Sequence, residues 1–421
     1  MLDINFIREN ADLVKKGVAA KGLGPSVVDE ALKLDEHRRK LIAEVEKLRA
    51  ERNRAAGEKN IEEGKRIKQE LSKKEPTLKE AEKEFQEKLL EIPNLPADDV
   101  KEGKDESENE VLEKWGEPRK FSAQGGSSSG GDFKPKDHLE IGEALDIIDV
   151  QRAAKVSGTR FGYLKGDAAL LEFALISFAM ETLIKEGFKP VIPPVLIKKE
   201  MMEGMGYLEH GGEEDMYELE KDGLILVGTS EQSIGPMHAG EILEAGKLPL
   251  RYVGFSNCFR RESGSYGKDT RGILRVHQFD KVEMFSFVKP EEGDKEHEYL
   301  LKLERKLWEA LKIPYQVIKM CSGDLGAPAA RKYDLEAWMP GQGKYREVTS
   351  TSNCTDFQAR RLNIKYRDGD KTGYVHTLNG TAFAIGRTII AILENYQQKD
   401  GSVLVPEVLQ KWMGKEKISL K

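Results

Sequence analysis

The sequence predicts an α+β protein: a long antiparallel helical hairpin, a coiled-coil arm, followed by a domain built on an antiparallel β-sheet flanked by helices. Three observations predict it. Residues 27–92 are nearly devoid of Gly and aromatics, and their apolar positions recur at heptad-like spacing. From residue 138 onward, helical patterns at 168–185, 230–245, 291–311 and 382–396 are mixed with short β-rich runs such as LILVG, LRYVGFSNCF, KVEMFSFV, YQVIKM and YREVTS. Several of these runs follow one another with no helix between them, which favours an antiparallel sheet over a doubly wound parallel one.

The first 20 or so residues read as a short helix and turn at the base of the arm. Ala31, Leu34, Leu41, Val45, Leu48 and Ala55 form one apolar stripe, and Ile67, Leu71, Leu78, Ala81, Phe85 and Ile92 form a second. Between them AGEKNIEEGK supplies Gly57 and Gly64, so the chain folds back on itself. Each helix of ~30 residues reaches ~45 Å at 1.5 Å per residue, which makes an arm and not part of a compact core. Arg38 and Arg52 fall on the seam, and Pro76 is expected to kink or restart the second helix. The prolines of IPNLP end the arm. An acidic stretch at 98–117 and the run AQGGSSSGGDF, a loop by composition, follow. The expected boundaries are 1–115 for the arm domain, 116–137 for a linker and 138–421 for the sheet domain.

Charge along the arm is segregated. From Arg49 to Lys74 there are nine basic residues against five acidic, a net of +4, whereas residues 75–91 carry a net of −3. A solvated coiled coil has no need to sort its charges by sign, but an arm reaching for a phosphate backbone does. Arg49, Arg52, Arg54, Lys65, Arg66 and Lys68 are the candidate contacts.

Composition excludes other classes. A chain of 421 residues exceeds one ordinary core, and 39% hydrophobic with 33% charged residues fits a large solvated helical surface rather than a disordered or membrane chain. No segment approaches the ~18 to 20 apolar residues of a membrane span, and MLDINFIREN lacks the basic lead and apolar stretch of a signal peptide. Cys258, Cys321 and Cys354 are odd in number and widely spaced, with no CxxC pair and no histidine at metal-ligand spacing. Neither a disulfide framework nor a zinc site is expected, and a reduced, cytoplasmic setting is. The net charge of −6 argues against an indiscriminate nucleic-acid binder but leaves room for a local basic surface.

The nearest match to a phosphate loop is GSYGK at 264–268. It fails, because Glu262 stands where a Walker A loop needs Gly and Asp269 where it needs Ser or Thr, and no GxGxxG follows a strand. A bound nucleotide must therefore be held by charged side chains on a sheet. Residues 257–285 cluster Arg260, Glu262, Arg271 and Arg275 around a Gly-rich turn; each arginine alone would fit a surface hairpin with exposed ion pairs. Residues 378–397, LNGTAFAIGRTIIAILENYQ, read as a strand end entering an apolar helix. Ile389, Ile390, Ile392 and Leu393 belong to a core, and Arg387 among them is a permanent charge that needs an anionic partner.

In this order the segments resemble the class II aminoacyl-tRNA synthetases. The Phe-Arg-x-Glu of 257–285 is similar to motif 2 and the Arg387 helix to motif 3, while EGFKPVIPPVLIKKEMMEGMG, with Pro193, is similar to motif 1. GTSEQ at 228–232, KVEM at 281–284, residues 140–167, REVTSTSNCTDFQARR at 346–361, DGSVLVPEVLQKWMG and the N-terminal hairpin resemble the bacterial-type seryl-tRNA synthetases. The resemblance covers nearly the whole chain. It implies a class II catalytic domain that uses ATP to turn L-serine into seryl-adenylate and passes it to the 3′ end of tRNA(Ser), and of tRNA(Sec), in a homodimer joined through motif 1.

The resemblance also implies roles. Arg260, Glu262 and Arg387 are the catalytic set. Arg260 grips the α-phosphate with a planar fork, Glu262 reads the adenine amino group and Arg387 holds the γ-phosphate. Thr229 and Glu231 face the ammonium group of serine, Glu283 and Thr381 its hydroxyl, with Arg260 and Asn353 completing the serine site. Arg260, Arg261, Glu262, Glu347, Val348, Thr349, Ser350 and Arg387 form the ATP site, with Mg²⁺ on Glu347. The arm's basic tip takes the long variable arm of tRNA(Ser). Three features depart from the family pattern: the AQGGSSSGGDF insertion, GMGYLEHGG after motif 1, and Thr381 where some members carry Ser. His138, His277 and His376 are expected to be structural, and Cys258, Cys354 and the methionines of 201–205 to be packing. Two other readings are an enzyme loading a carrier protein, whose relatives lack the arm, and a scaffold with a dead synthetase domain, which would have lost Arg260, Glu262 or Arg387.

Overall fold

A computed structural model describes residues 1–119, 121, 133–263 and 271–420, arranged as two compact units, Met1–Pro96 and Ala97–Lys421. The Gly/Ser-rich insertion at 124–131 and GSYGK at 264–268 lie outside the described residues. Residues 97–115, expected with the arm, belong to the second unit, because Glu110–Trp115 forms a strand paired with Tyr315–Lys319.

The first unit holds α1 (Ile4–Glu9), α2 (Ala11–Ala20), α3 (Ser26–Gly57) and α4 (Ile61–Leu90). The expected single short helix at the base is thus two, the first capped by Asp3, whose carboxylate accepts from the Asn5 amide at 2.7 Å. Asn60 caps α4 by accepting from the Glu63 amide at 3.2 Å, and Glu62 and Glu63 suit the positive end of that helix. Ile67, Leu71 and Leu78 pack with Val45, Leu48 and Ala55, while Phe85, Leu89 and Ile92 pack with Ala31 and with Val14 and Val18 of α2.

Two details differ from expectation. Helix α4 runs through Pro76 without restarting, since apolar packing on either side offsets the ~3 kcal/mol that an interior proline costs. Arg38 does sit at the seam, with its guanidinium 4.6 Å from the centre of the Phe85 ring and 3.0 Å from Asp35. Asp35 is fully buried and also binds Arg8 and Arg39. Arg52, in contrast, is exposed, and Ala55 takes the inward position. At the tip, Arg49 pairs with Glu75 at 2.8 Å and Arg66 with Glu63 and Glu70 at 2.5 and 2.6 Å. These pairs are exposed and worth ~0 to 1 kcal/mol each, so a phosphate can displace them. Arg52, Arg54, Lys65 and Lys68 are exposed as well.

The second unit is built on an eight-stranded sheet of β1 (Glu110–Trp115), β2 (Lys189–Val191), β3 (Leu250–Phe259), β4 (Gln278–Val288), β5 (Tyr315–Lys319), β6 (Arg331–Met339), β7 (Lys344–Asn353) and β8 (His376–Ala384). Its order is β1-β5-β6-β7-β8-β4-β3-β2. Every neighbouring pair is antiparallel except β2 with β3, in keeping with β-runs that follow one another directly. Helices α5 (Asp167–Lys185), α7 (Gly293–Ala310) and α8 (Ile385–Tyr396) bury Leu171, Leu175, Leu300, Leu307, Trp308, Ile389 and Leu393 against Val253, Met284, Leu335 and Phe383 of the sheet. The helix expected over 230–245 is only one short turn, α6 (Glu231–Ile234), followed by a 3₁₀ turn and a strand at Ile242–Glu244. Pro236 lacks an amide hydrogen and Gly240 has φ +77°, so the helix cannot continue. Among the described residues no helix is long and apolar enough to cross a membrane.

Candidate active site

Side chains alternate across a sheet, so Val282 and Met284 of β4 enter the helix-covered core while Lys281 and Glu283 face the other side. There a cleft of about 370 Å³ opens, lined by the ends of β3, β4, β7 and β8, the 207–216 segment and α6. Its floor is charged.

At one end lies a buried polar pocket. Thr229 and Glu231, set by the turn into α6, are 4% and 3% exposed. Glu231 Oε1 accepts from Asn379 Nδ2 at 2.9 Å and from Gln358 Nε2 at 3.4 Å, and Thr377 in turn donates to Gln358 at 2.7 Å. Register pairs Glu283 with Gly254 on one side and Thr381 on the other, and the Thr381 hydroxyl donates to Glu283 Oε2 at 3.1 Å. Lys281 Nζ is 2.5 Å from the same oxygen and 3.3 Å from Thr229 Oγ1. Burial first, and then the Glu283 charge, push Glu231 up to about 7; Lys281 works against both. Burial also raises Glu283, opposed by Lys281, Thr381 and Arg260.

Arginines line the other end. Arg260 follows β3, its amide donating to the His277 carbonyl at 3.0 Å and His277 Nδ1 donating back to the Arg260 carbonyl at 3.0 Å. Its guanidinium lies 5.3 Å from the centre of the Phe279 ring, and a Cβ at Gly228 would come within 3.3 Å of its Nε, so glycine leaves the room the arginine uses. Glu262 has φ +54°, a conformation that costs a glutamate of order 1 kcal/mol or more and that clusters at functional sites. Arg160 Nη1 donates to its carbonyl at 2.9 Å, and Arg275 stands 3.6 Å from its carboxylate. Arg387, in the first turn of α8, donates to both the carbonyl and Oε2 of Glu347 at 3.0 Å. Glu347 is therefore the anionic partner that Arg387 requires. Burial would raise the Glu347 carboxyl, but Arg387, Lys332 and Arg260 together pull it below the usual carboxylate range, and its side chain stays 44% exposed to the cleft.

The tRNA synthetase class II core domain (G, H, P, S and T) matches residues 216–396, and the seryl-tRNA synthetase N-terminal domain matches residues 1–96. The serine–tRNA ligase of Acidothermus cellulolyticus is 50% identical over 424 residues, 98% of each chain. This chain belongs to the seryl-tRNA synthetase family. That makes it an ATP-dependent aminoacyl-tRNA ligase of class II. The crystal structure of seryl-tRNA synthetase from Pyrococcus horikoshii complexed with ATP superposes with a TM-score of 0.92 at 44% identity over 100% of both chains. That of the cytoplasmic serine–tRNA ligase from Naegleria fowleri in complex with AMP gives 0.89 at 34% identity, covering 100% of this chain and 99% of the other.

Within this seryl-tRNA synthetase site the cleft unites Thr229, Glu231, Arg260, Glu262, Glu347, Thr349, Ser350, Thr381 and Arg387. Glu283 lies under it, bonded to Thr381 and Lys281. Three expected members differ. Arg261 turns out of the cleft, its guanidinium 4.8 Å from the Tyr217 ring centre and its Nε donating to the Met216 carbonyl at 2.7 Å. Asn353 points elsewhere, donating to Asp294 at 3.3 Å and accepting from the Thr355 amide at 2.9 Å, because it falls one residue out of step with the cleft-lining Ser352 and Cys354. Val348 borders the cleft but is 1% exposed and packs into the core. Three residues escaped the sequence reading: Lys281, Asn379 and Gln358. The first two were within reach, since Lys281 precedes Glu283 by two and Asn379 precedes Thr381 by two, the spacing that puts strand residues on one face. The departing segment after motif 1 also borders the cleft, through Tyr207 and Gly212, and Asp215 and Met216 just beyond it do so too.

Proposed function

We propose that this chain activates L-serine with ATP to seryl-adenylate and transfers the seryl group to the 3′ end of tRNA(Ser), and also of tRNA(Sec). The observation that carries the reading is one cleft with a small buried acidic pocket at one end and Arg260 and Arg387 along the other. The acidic end suits a small amino acid with an ammonium group, and the basic end suits a polyphosphate.

The serine carboxylate is ionised at neutral pH and needs no base, so activation consists of placing it in line with the α-phosphate and stabilising the charge on departing pyrophosphate. Glu231 and Thr229 take the ammonium group, and Glu283 with Thr381 takes the hydroxyl. Arg260 spans carboxylate and α-phosphate, which it can reach because Gly228 leaves space beside it. Glu262 reads the adenine amino group from its strained turn. Arg387 leaves Glu347 for the γ-phosphate. The carboxylate of Glu347 fits a hard cation, being ionised and open to the cleft, and it would hold Mg²⁺ together with the phosphates. When bound, that ion neutralises charge on the leaving pyrophosphate. Serine is told from alanine by its hydroxyl, since a buried partner left unpaired penalises alanine by ~10⁴ or more. Thr381 keeps that hydroxyl contact while narrowing the pocket relative to Ser, which works against threonine.

The basic tip of the arm, with Arg49, Arg52, Arg54, Lys65, Arg66 and Lys68, takes the long variable arm of the tRNA by shape and backbone. Large apolar side chains stay exposed along α5 and just beyond β2, with Phe173 at 66% and Ile192 at 86%, which supports a homodimer through this surface and the arm of one subunit serving its partner. The buried thiols of Cys258 and Cys321 suit a reducing cytoplasm. Serine-dependent exchange of pyrophosphate into ATP, followed by charging of tRNA(Ser) and tRNA(Sec), tests the whole. Exchange with loading of a carrier protein in place of tRNA, or no exchange at all, would refute it.

A further inference from the structure

The acidic pocket contains a buried lysine to which the reaction outlined above gives no role. Lys281 is only 8% exposed, and its ammonium sits between the two halves of the pocket, 2.5 Å from Glu283 Oε2 and 3.3 Å from Thr229 Oγ1. Thr381 donates to that same carboxylate oxygen. The other oxygen, Oε1, is buried with no hydrogen-bond partner among the described residues. One oxygen of Glu283 is thus held twice and the other not at all.

We infer that Lys281 is a positioning residue for amino-acid selection: it keeps Glu283 ionised and turned so that Oε1 is the acceptor offered to the substrate hydroxyl. The inference rests on the proposed function, because it presumes that serine occupies this pocket. Its physical basis is a competition. Glu283 is 1% exposed, and burial in such surroundings favours the neutral acid. The groups facing it are Arg260 and Cys258 from the β3 side, Glu231 of α6, Glu304 of α7, Tyr207, and Lys281 on its own strand. Two of these are further buried carboxyls, so the charge on Glu283 is favoured by the cations Lys281 and Arg260 and by the Thr381 hydroxyl, and of the two cations only Lys281 touches it. A neutral Glu283 would carry a proton on one oxygen and lose the strong charged acceptor that penalises a substrate without a hydroxyl.

A purely structural lysine would predict something else. If Lys281 merely satisfied a buried charge, its loss would weaken the pocket for every amino acid alike and leave the pH profile of the serine-to-alanine ratio flat. The test is Lys281→Met, assayed by pyrophosphate exchange with serine and with alanine from pH 5.5 to 9, with circular dichroism to confirm folding. The expected result is a fall of ~10- to 100-fold in kcat/KM for serine near pH 7, the worth of one hydrogen bond to a charged group. Alanine should change by no more than about threefold, since it lacks that bond. The ratio of kcat/KM for serine over alanine, in which the ionisation of Glu231 near pH 7 cancels because both substrates carry the ammonium group, should gain a limb rising with pH as Glu283 ionises, a limb absent from the flat ratio profile of the parent. An unchanged serine-to-alanine ratio with a flat profile overturns the inference. If the parent itself does not prefer serine, the proposed function fails instead. Lys281→Arg decides the matter should the methionine variant not fold: a cation at this place keeps the profile flat, and a rising limb there overturns the inference.

Discussion

Glu231 offers a prediction in which stability and function move in opposite directions. Its carboxyl is raised to about 7, by burial first and by Glu283 second. The folded protein therefore holds a proton that the unfolded chain releases near pH 4.5, the ordinary value for a glutamate. The stabilisation from that proton is fully present below pH ~4.5 and is lost as pH rises through ~7. Between 4.5 and about 7 this amounts to roughly 3 kcal/mol at 1.36 kcal/mol per factor of ten in proton affinity, absent above pH ~8. Glu231→Gln removes the titration but keeps an oxygen to accept from Asn379. For a unit of this size, unfolding entropy of ~2.1 cal/mol/K per residue converts 1 kcal/mol into about 1.5 °C. The Tm of the variant, relative to the parent, should therefore climb by ~4 to 5 °C between pH 4.5 and 8. Thermal melts across that range measure it. The same variant should raise the KM for serine ~100-fold or more, because the ammonium group loses its buried counter-charge. A Tm difference that does not change with pH would refute the reasoning about Glu231, whatever happens to activity.

Three further outcomes follow from the proposed roles. Arg387→Ala should cut exchange activity by ~10²- to 10³-fold, the usual loss for one preorganised charge at a reacting centre, with the fold kept; activity within tenfold of the parent would remove Arg387 from the phosphate site. Glu283→Ala should lower chiefly the ratio of kcat/KM for serine over alanine, and an unchanged ratio would refute its hydroxyl contact. Replacing residues 45–75 by a short turn should leave exchange nearly unchanged and severely reduce tRNA charging. Charging by the intact enzyme should weaken as salt rises, as the phosphate contacts proposed for the arm require; parental kcat/KM for tRNA after the replacement would deny the arm that task.

The heptad spacing of residues 27–92, the prolines of IPNLP and the adjacent β-runs were enough to predict an arm and an antiparallel sheet, because both depend on local periodicity. Arg387 was legible for a different reason, as a permanent charge in an otherwise apolar helix, whereas Arg260 and Glu262 were picked out by the resemblance of residues 257–285 to motif 2. What local pattern could not give was decided by pairing between distant strands. Asn353 and Asn379 look equally suitable in sequence, yet the register of β7 and β8 turns the first toward Asp294 and the second onto Glu231. Arg261 neighbours Arg260 but is drawn out of the cleft by Tyr217, a partner supplied by another segment. Residues 97–115 follow the arm in sequence but join the sheet, because β5 offers them an edge to pair with. Periodicity and composition by themselves determined most of the elements and the arm's charge, and the resemblance to the class II motifs supplied the residues expected at the site. The tertiary structure alone decided which of those residues face one another, because a contact made across strands is set by register and burial, and neither is written in any single segment.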